Sequence, residues 1–160
     1  MYDTIITNIF DLGTRFFING CEQVFRIVMR FKIDTKEKMH VINIQEESLP
    51  AILAERLKSV VSAFLQEDVK YLVLDLQAVF RIVTDISVVI LDLQQQFYAN
   101  QASFVVCGLS PAVLELFKSQ DLLDTLNFTP TESEAWDIVQ MEIMEREFLE
   151  GENWSNYLIA

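Results

Sequence analysis

Apolar and polar residues alternate along residues 25–33, and a period of two is typical of a β-strand with one buried face. The polar segment 34–37 predicts a turn after this strand. Residues 38–45 then predict the returning strand of a hairpin. This strand contains His40, the single histidine of the chain, which we interpret as a strand residue without a catalytic role.

Downstream of the hairpin, helical spacing alternates with short apolar runs. Ser48 and Pro50 suit the cap and the first turn of a helix, whose apolar stripe then repeats every three to four residues. The apolar runs indicate strands that are buried on both faces. Thr131 and Glu134 form a capping box for the last helix. After the first helix, strands are predicted at 70–76, 102–107 and 126–128, and helices at 85–98, 111–119 and 132–148.

The predicted order of elements is β-β-α-β-α-β-α-β-α. Right-handed crossovers of the helices onto the sheet make this an α/β domain with a mixed β-sheet and about four helices. A length of 160 residues suits one domain, and a hydrophobic content of 51 % supplies a sizeable core. We place this domain at residues 29–148.

Both ends of the chain extend beyond the domain. Within residues 1–28, the segment 5–10 indicates an amphipathic helix, and the segment 16–20 predicts a strand and a type I′ turn. This extension either pairs as an extra strand with the strand that follows, covers one edge or face of the sheet, or mediates self-association. The tail, residues 149–160, carries apolar residues around Trp154 that either fold back onto the domain or insert into a partner groove.

The charge of the chain restricts its partners. Lys and Arg number 12 and Asp and Glu number 24, which gives a net charge of −12. An anionic surface repels nucleic-acid phosphates and anionic headgroups, so we expect no nucleic-acid partner and favour a protein with a basic patch. The alternative is that the charge only keeps the domain soluble. The carboxylates between residues 142 and 152 predict a solvated helix face or, alternatively, a docking face for a basic partner.

Catalytic and metal-binding motifs are missing from the sequence. It contains no Gly-rich phosphate loop and no nucleophile elbow, and Cys21 and Cys107 lack metal-ligand spacing. With one histidine, a Ser-His or Cys-His pair would depend on His40. We therefore expect no enzymatic activity and no cofactor or metal. No basic leader and no uncharged apolar window of about 18 residues occurs, so we expect no membrane span and a cytoplasmic location.

Four segments together resemble the STAS family, which includes bacterial anti-sigma-factor antagonists, and the likeness is strongest to small STAS proteins of the Bacteroidetes type. They resemble the start of such a domain, the strand and loop before the family's regulatory site, and its C-terminal half. The segments are MRFKIDTKEK at 29–38, LVLDLQAV at 72–79, FVVCGLSPAV at 104–113 and LNFTPTESEA at 126–135. The resemblance implies a STAS-like mixed sheet and a non-enzymatic protein-interaction domain, with residues 1–28 as an appended element.

The family's regulatory motif is Asp-Ser-Ser-Gly at the start of the second helix, and its first Ser accepts phosphate. The matching residues here are Val83, Thr84, Asp85 and Ile86. The resemblance therefore implies Thr84 as the phosphoacceptor candidate and Val83, Thr84, Asp85, Ile86 and Ser87 as partner-binding residues. Helix N-termini favour added phosphate because their free N–H groups and dipole stabilise negative charge.

The departures from this motif leave three interpretations open. The hydroxyl of Thr84 favours a phosphorylation-switched antagonist that binds an anti-sigma factor or switch kinase. Asp85 would repel or mimic a phosphate, and Ile86 adds apolar bulk at the kinase-facing surface. Together with Val83, which replaces the Asp of the motif, these changes favour a constitutive scaffold or an accessory subunit of a larger complex, in which Thr84 or Asp85 only caps the helix. The third interpretation is a homodimer or filament formed through residues 1–28.

Overall fold

The computed structural model describes residues 13–18, 21–26, 29–36 and 38–158. Its strands are β1 Gly13–Ile18, β2 Cys21–Arg26, β3 Phe31–Lys36, β4 Met39–Ile44, β5 Ser48–Leu49, β6 Tyr71–Asp75, β7 Arg81–Ile82, β8 Ser103–Cys107 and β9 Phe128–Thr129. Its α-helices are α1 Ala54–Ser62, α2 Thr84–Ala99, α3 Pro111–Ser119 and α4 Glu132–Leu158. Short 3₁₀ turns flank α1 at Ala51–Leu53 and Ala63–Gln66.

The main sheet contains five strands in the order β3-β4-β6-β8-β9. β3 is antiparallel to β4, whereas the pairs β4-β6, β6-β8 and β8-β9 are parallel. Each pair of neighbouring parallel strands is joined by a helical crossover, as the connection rule for such sheets requires. The predicted α/β class and mixed sheet are confirmed.

The sheet separates two apolar cores. Because successive side chains of a strand point to opposite faces, Leu72 and Leu74 of β6 pack with α1, α2 and α3, while Val73 packs with α4. All three side chains are fully buried. A strand with both faces covered gives a continuous apolar run in the sequence, which explains why β6 was predicted close to its observed bounds.

The bounds predicted for the opening hairpin were wrong. Residues 25–33 do not form one strand, because β2 ends at Arg26 and β3 begins at Phe31. β3 also continues through the polar residues that predicted the turn, and its last pair joins Lys36 to Met39. These polar residues are tolerated because β3 is an edge strand whose second half is exposed.

The N-terminal extension contains a hairpin. β1 pairs antiparallel with β2, with Ile18 opposite Cys21. Residues 16–18 thus belong to a strand, but they pair with residues 21–23 and not with the predicted strand at 25–33. The predicted helix at 5–10 and the turn residues 19–20 lie outside the described residues.

The first helix begins later than predicted. Ser48 does not cap it, because Ser48 and Leu49 form β5 and pair in parallel with β7. Pro50 precedes the 3₁₀ turn, and α1 starts at Ala54. Leu49 is fully buried, so burial and pairing with a distant segment outweigh the local capping signal.

The last helix begins as predicted and ends later. The backbone N–H of Glu134 donates to Thr131 Oγ1 at 3.3 Å, and the Thr131 hydroxyl donates to Glu134 Oε1 at 3.1 Å. α4 then continues to Leu158, so most of the predicted tail is helical.

Candidate functional site

The chain that leads from β6 to α2 is anchored at Asp75. Its carboxylate accepts hydrogen bonds from the Gln77 N–H at 2.9 Å and from Asn43 Nδ2 at 2.7 Å. Gly108 passes close to the same carboxylate with φ at +72°, and a Cβ added there would lie 2.7 Å from Asp75 Oδ1. Both the backbone conformation and the lack of space therefore require glycine at this position.

Pairing between β5 and β7 fixes the second half of this loop. The N–H groups of Phe80 and Arg81 both donate to the Glu47 carbonyl, at 2.9 and 3.2 Å. Val79 is fully buried beneath them, whereas the Phe80 side chain is 56 % exposed. The loop thus buries one apolar residue and presents the next one to solvent, immediately before α2.

The first turn of α2 lacks a side-chain cap. Val83 is the N-cap residue, with extended φ and ψ of −97° and 164°, and no side chain caps the helix. The expectation that Thr84 or Asp85 caps the helix was therefore wrong, because both lie inside the first turn. Uncapped N–H groups and the helix dipole give this end a positive partial charge.

Gln120, the residue that follows α3, bridges two polar side chains of α2. Gln120 Nε2 donates to Thr84 Oγ1 at 3.0 Å, and the Ser87 hydroxyl lies 2.5 Å from Gln120 Oε1. The Ser87 hydroxyl also lies 2.7 Å from the Thr84 carbonyl, so its single proton is shared between two acceptors. Thr84 Oγ1 accepts this bond from the Gln120 amide, so the Thr84 hydroxyl proton points away from Gln120 Nε2.

Sequence reasoning did not identify Gln120. The residue lies 36 positions from Thr84 in the chain, and an isolated Gln at a helix end carries no motif. Only the packing of α3 beside α2 brings the two together. Covariation between positions 84 and 120 among related sequences would indicate this contact, and a single sequence contains no covariation.

The predicted partner-binding residues divide into two groups. Val83, Thr84 and Asp85 are exposed, whereas Ile86 and Ser87 are 0 % and 1 % exposed. We expected Ile86 and Ser87 to lie at the partner-binding surface, and both are buried instead. The position of Ile86 in α2 turns its side chain inward, into the core that Ile90, Leu93 and Phe97 also fill at helical spacing.

Exposed apolar side chains flank Thr84 along the chain. Phe80 and Val83 precede it in the loop, and Val88 lies one turn further along α2, at 57 % exposure. We call Phe80, Val83, Thr84, Asp85 and Val88 the α2 surface. Its combination of apolar area with one hydroxyl and one carboxylate is typical of a protein-contact surface.

Burial shifts the pKa values of Cys107 and His40, which both lie outside this surface. Burial raises the pKa of the Cys107 thiol to about 12, with further contributions from Asp75 and Glu132, so the thiolate needed for nucleophilic attack is scarce. Burial lowers the pKa of His40, whose Nδ1 lies 3.0 Å from Thr35 Oγ1.

Within the described part of the chain, no group of three or more His, Cys, Asp or Glu side chains is arranged to hold a metal ion. Among those same residues, no helix has both the length and the apolar character needed to cross a membrane.

Comparison with known proteins identifies the fold and the family. The STAS domain family model matches residues 30–135. An anti-sigma factor antagonist from Mycobacterium paratuberculosis aligns with a TM-score of 0.62 at 18 % identity, over 70 % of this chain and 94 % of that chain. The Bacillus cell fate determinant SpoIIAA in its phosphorylated form aligns with a TM-score of 0.52 at 19 % identity, over 68 % and 98 %. A sulfate transporter family protein from Wolinella succinogenes aligns with a TM-score of 0.59 at 14 % identity, over 69 % and 92 %. At these identities, the structural likeness establishes the shared fold alone.

Proposed function

Because the chain belongs to the STAS domain family, we propose that it is a non-enzymatic regulatory module that binds a protein partner through the α2 surface and is switched by phosphorylation of Thr84. The observation that carries this proposal is the position of the Thr84 hydroxyl. Thr84 is exposed in the uncapped first turn of α2, and the exposed apolar residues Phe80, Val83 and Val88 flank it along the chain. The similar anti-sigma factor antagonists, of which SpoIIAA is also seen in a phosphorylated form, support a partner of the anti-sigma-factor or switch-kinase class.

The switch follows from electrostatics and desolvation. A phosphate on Thr84 would add a charge of about −1.5 to −2 in the middle of the α2 surface. The helix N-terminus and the Gln120 amide would stabilise that charge in the free protein. In a complex that covers Phe80, Val83 and Val88, the same charge would have to lose its hydration. Phosphorylation would therefore favour the free protein and release the partner.

The experiment is a pull-down from the native cell extract with wild-type, Thr84→Ala and Thr84→Glu proteins as baits, read by mass spectrometry. We expect an anti-sigma factor or a histidine-kinase-like ATPase to bind the wild-type and Thr84→Ala proteins and to be lost with Thr84→Glu. Thr125→Glu is the matched control, because Thr125 is also exposed and lies outside the α2 surface. Equal recovery of the same partner by all four baits would contradict the switch.

A constitutive module is the second candidate, and Asp85 is the observation that favours it. This exposed carboxylate lies in the first turn of α2, next to the hydroxyl that a kinase would modify. If Asp85 mimics a phosphate, the chain serves as a scaffold or as a subunit of a larger complex, a role that the likeness to a sulfate transporter family protein supports. In that case Asp85→Asn should change partner recovery, while Thr84→Glu should not. The cytoplasmic location and the homodimer through residues 1–28 stay predictions.

A further inference from the structure

The outer side of α4 carries an apolar stripe that no described residue covers. Met141, Met144 and Phe148 are 68 %, 66 % and 67 % exposed. Their spacing of three and four residues places them along one side of the helix. This helix packs on the sheet face opposite α2, so the stripe is separate from the α2 surface.

Contacts on the inner side of α4 fix the direction in which the stripe points. Ala135, Val139 and Ile143 pack into the core beneath the helix. Arg146 donates from Nη1 to Ser103 Oγ and from Nη2 to the Ala102 carbonyl, both at 2.9 Å. Arg146 lies between Met144 and Phe148 in the sequence. Its hydrogen bonds therefore fix the inner side of these helical turns against the sheet, and the stripe on their outer side faces solvent.

The stripe follows the spacing of a helix-pairing seam. Positions 141, 144, 148 and 151 alternate steps of three and four, which is the a/d pattern of a coiled coil. Gly151 ends the described part of this seam, and a Cβ added there would have no atom within 4 Å. One heptad earlier, the corresponding positions hold Glu134 and Asp137, so the apolar seam begins at Met141.

Carboxylates border the seam. Exposed Glu145 follows Met144, and exposed Glu147 precedes Phe148, so they occupy the flanking e and g positions. The neighbouring cation, Arg146, is turned inward by its bonds to Ser103 and Ala102. The seam is therefore apolar along its centre and acidic on both sides.

We propose that this surface, the α4 seam of Met141, Met144, Glu145, Glu147 and Phe148, docks an amphipathic helix of a partner protein that carries Lys or Arg beside its apolar stripe. Charge complementarity at the flanking positions selects this occupant, because e and g charges set partner choice in paired helices. A second copy of the chain fits poorly. In parallel copies, the g position of one helix faces the e position of the next heptad of the other, so Glu147 would face residue 152, which is also a glutamate. In antiparallel copies, e faces e and g faces g, so Glu145 and Glu147 would each face their own counterparts.

The test uses synthetic peptides of about 21 residues, or three heptads, as probes. The first has Leu at the a and d positions and Lys at e and g, the second replaces Lys by Glu, and the third is a scrambled form of the first. Binding to the full chain is followed by fluorescence anisotropy. We expect the Leu/Lys peptide to bind at least about tenfold more tightly than the other two, and Phe148→Glu or Met144→Glu to weaken it by about tenfold or more.

Tyr98→Glu is the matched protein control, because Tyr98 is 80 % exposed on α2 and should leave peptide binding unchanged. Equal binding of the scrambled peptide would show unspecific charge attraction and overturn the proposal. So would binding that neither seam variant weakens. A dimer in sedimentation that Phe148→Glu converts to monomer would assign the seam to a second copy and also overturn it. The experiment does not involve Thr84, so its outcome is independent of the proposed switch.

Discussion

The α2 surface and the α4 seam lie on helices that pack against opposite faces of one sheet, and they are built differently. The α2 surface forms where a loop enters a helix, and long-range contacts from Glu47, Asp75 and Gln120 hold it in place. The α4 seam lies in the middle of a long helix and is oriented by Arg146 and the core beneath it. A surface at a helix start offers a hydroxyl beside uncapped backbone N–H groups, whereas a surface along a helix offers regular spacing. The first suits a switch and the second suits constitutive docking.

One glycine lies beside each surface: Gly108 contacts the loop before α2, and Gly151 lies in α4. Substituting these two glycines by alanine should give the largest difference in the free energy of unfolding. Gly108→Ala should destabilise the domain by about 1–3 kcal/mol, because a Cβ at φ +72° would lie 2.7 Å from Asp75 Oδ1. Gly151→Ala, in the open middle of α4, should stabilise it by about 0.5–1 kcal/mol through helix propensity. Urea denaturation of both variants measures the two changes. Equal effects would show that the contact between Gly108 and Asp75 does not restrict the loop before α2.

Removing the bridge to α3 should affect the α2 surface alone. Gln120→Leu removes the hydrogen bonds to Thr84 and Ser87, and we expect a loss of about 1 kcal/mol in the free energy of unfolding. Amide hydrogen exchange should accelerate in the first turn of α2 and stay unchanged in α4. Gln96→Leu is the control, because Gln96 bonds Asp92 within α2 and joins no second element. Identical exchange in both variants would contradict a positioning role for Gln120.

The smallest effect concerns His40, on the same side of the sheet as α2, where its ring lies 4.8 Å from the ring of Phe64. Burial lowers its pKa from the usual 6.5, although the charge of Glu67 opposes this shift. The unfolded chain therefore binds the proton first as pH falls. Stability should be constant above about pH 6.5 and should decrease as pH falls through that value toward the folded pKa.

Thermal unfolding between pH 5 and 8 measures this dependence, and His40→Asn should make it shallower. Asn is the suitable replacement because its side chain can still bond to Thr35 Oγ1 in place of Nδ1. A wild-type curve that rises as pH falls below 6.5 would contradict the sign, since it would mean that the folded protein stabilises the protonated imidazole.

Local signals predicted the elements whose stabilising contacts lie nearby in the chain. The helix predicted at 111–119 has those bounds in the structure, and the Ser110 hydroxyl accepts from the Val113 N–H at 3.3 Å as a cap should. The apolar runs of β6 and β8 were also clear, because both faces of these strands are covered. The resemblance of the sequence directed attention to Thr84, which is exposed at the start of α2.

The sequence by itself thus determined the α/β class, the order of the helices and of the strands of the main sheet, and the start of α2 near Thr84, since hydrophobic periodicity is a local property. Tertiary structure decided the rest. It made Ser48 a strand residue by pairing β5 with β7, turned Ile86 into the core, and placed Gln120 on Thr84. It also left Met141, Met144 and Phe148 facing solvent. Each of these outcomes depends on which distant segments pack together, and the pattern of a short stretch of chain does not contain that information.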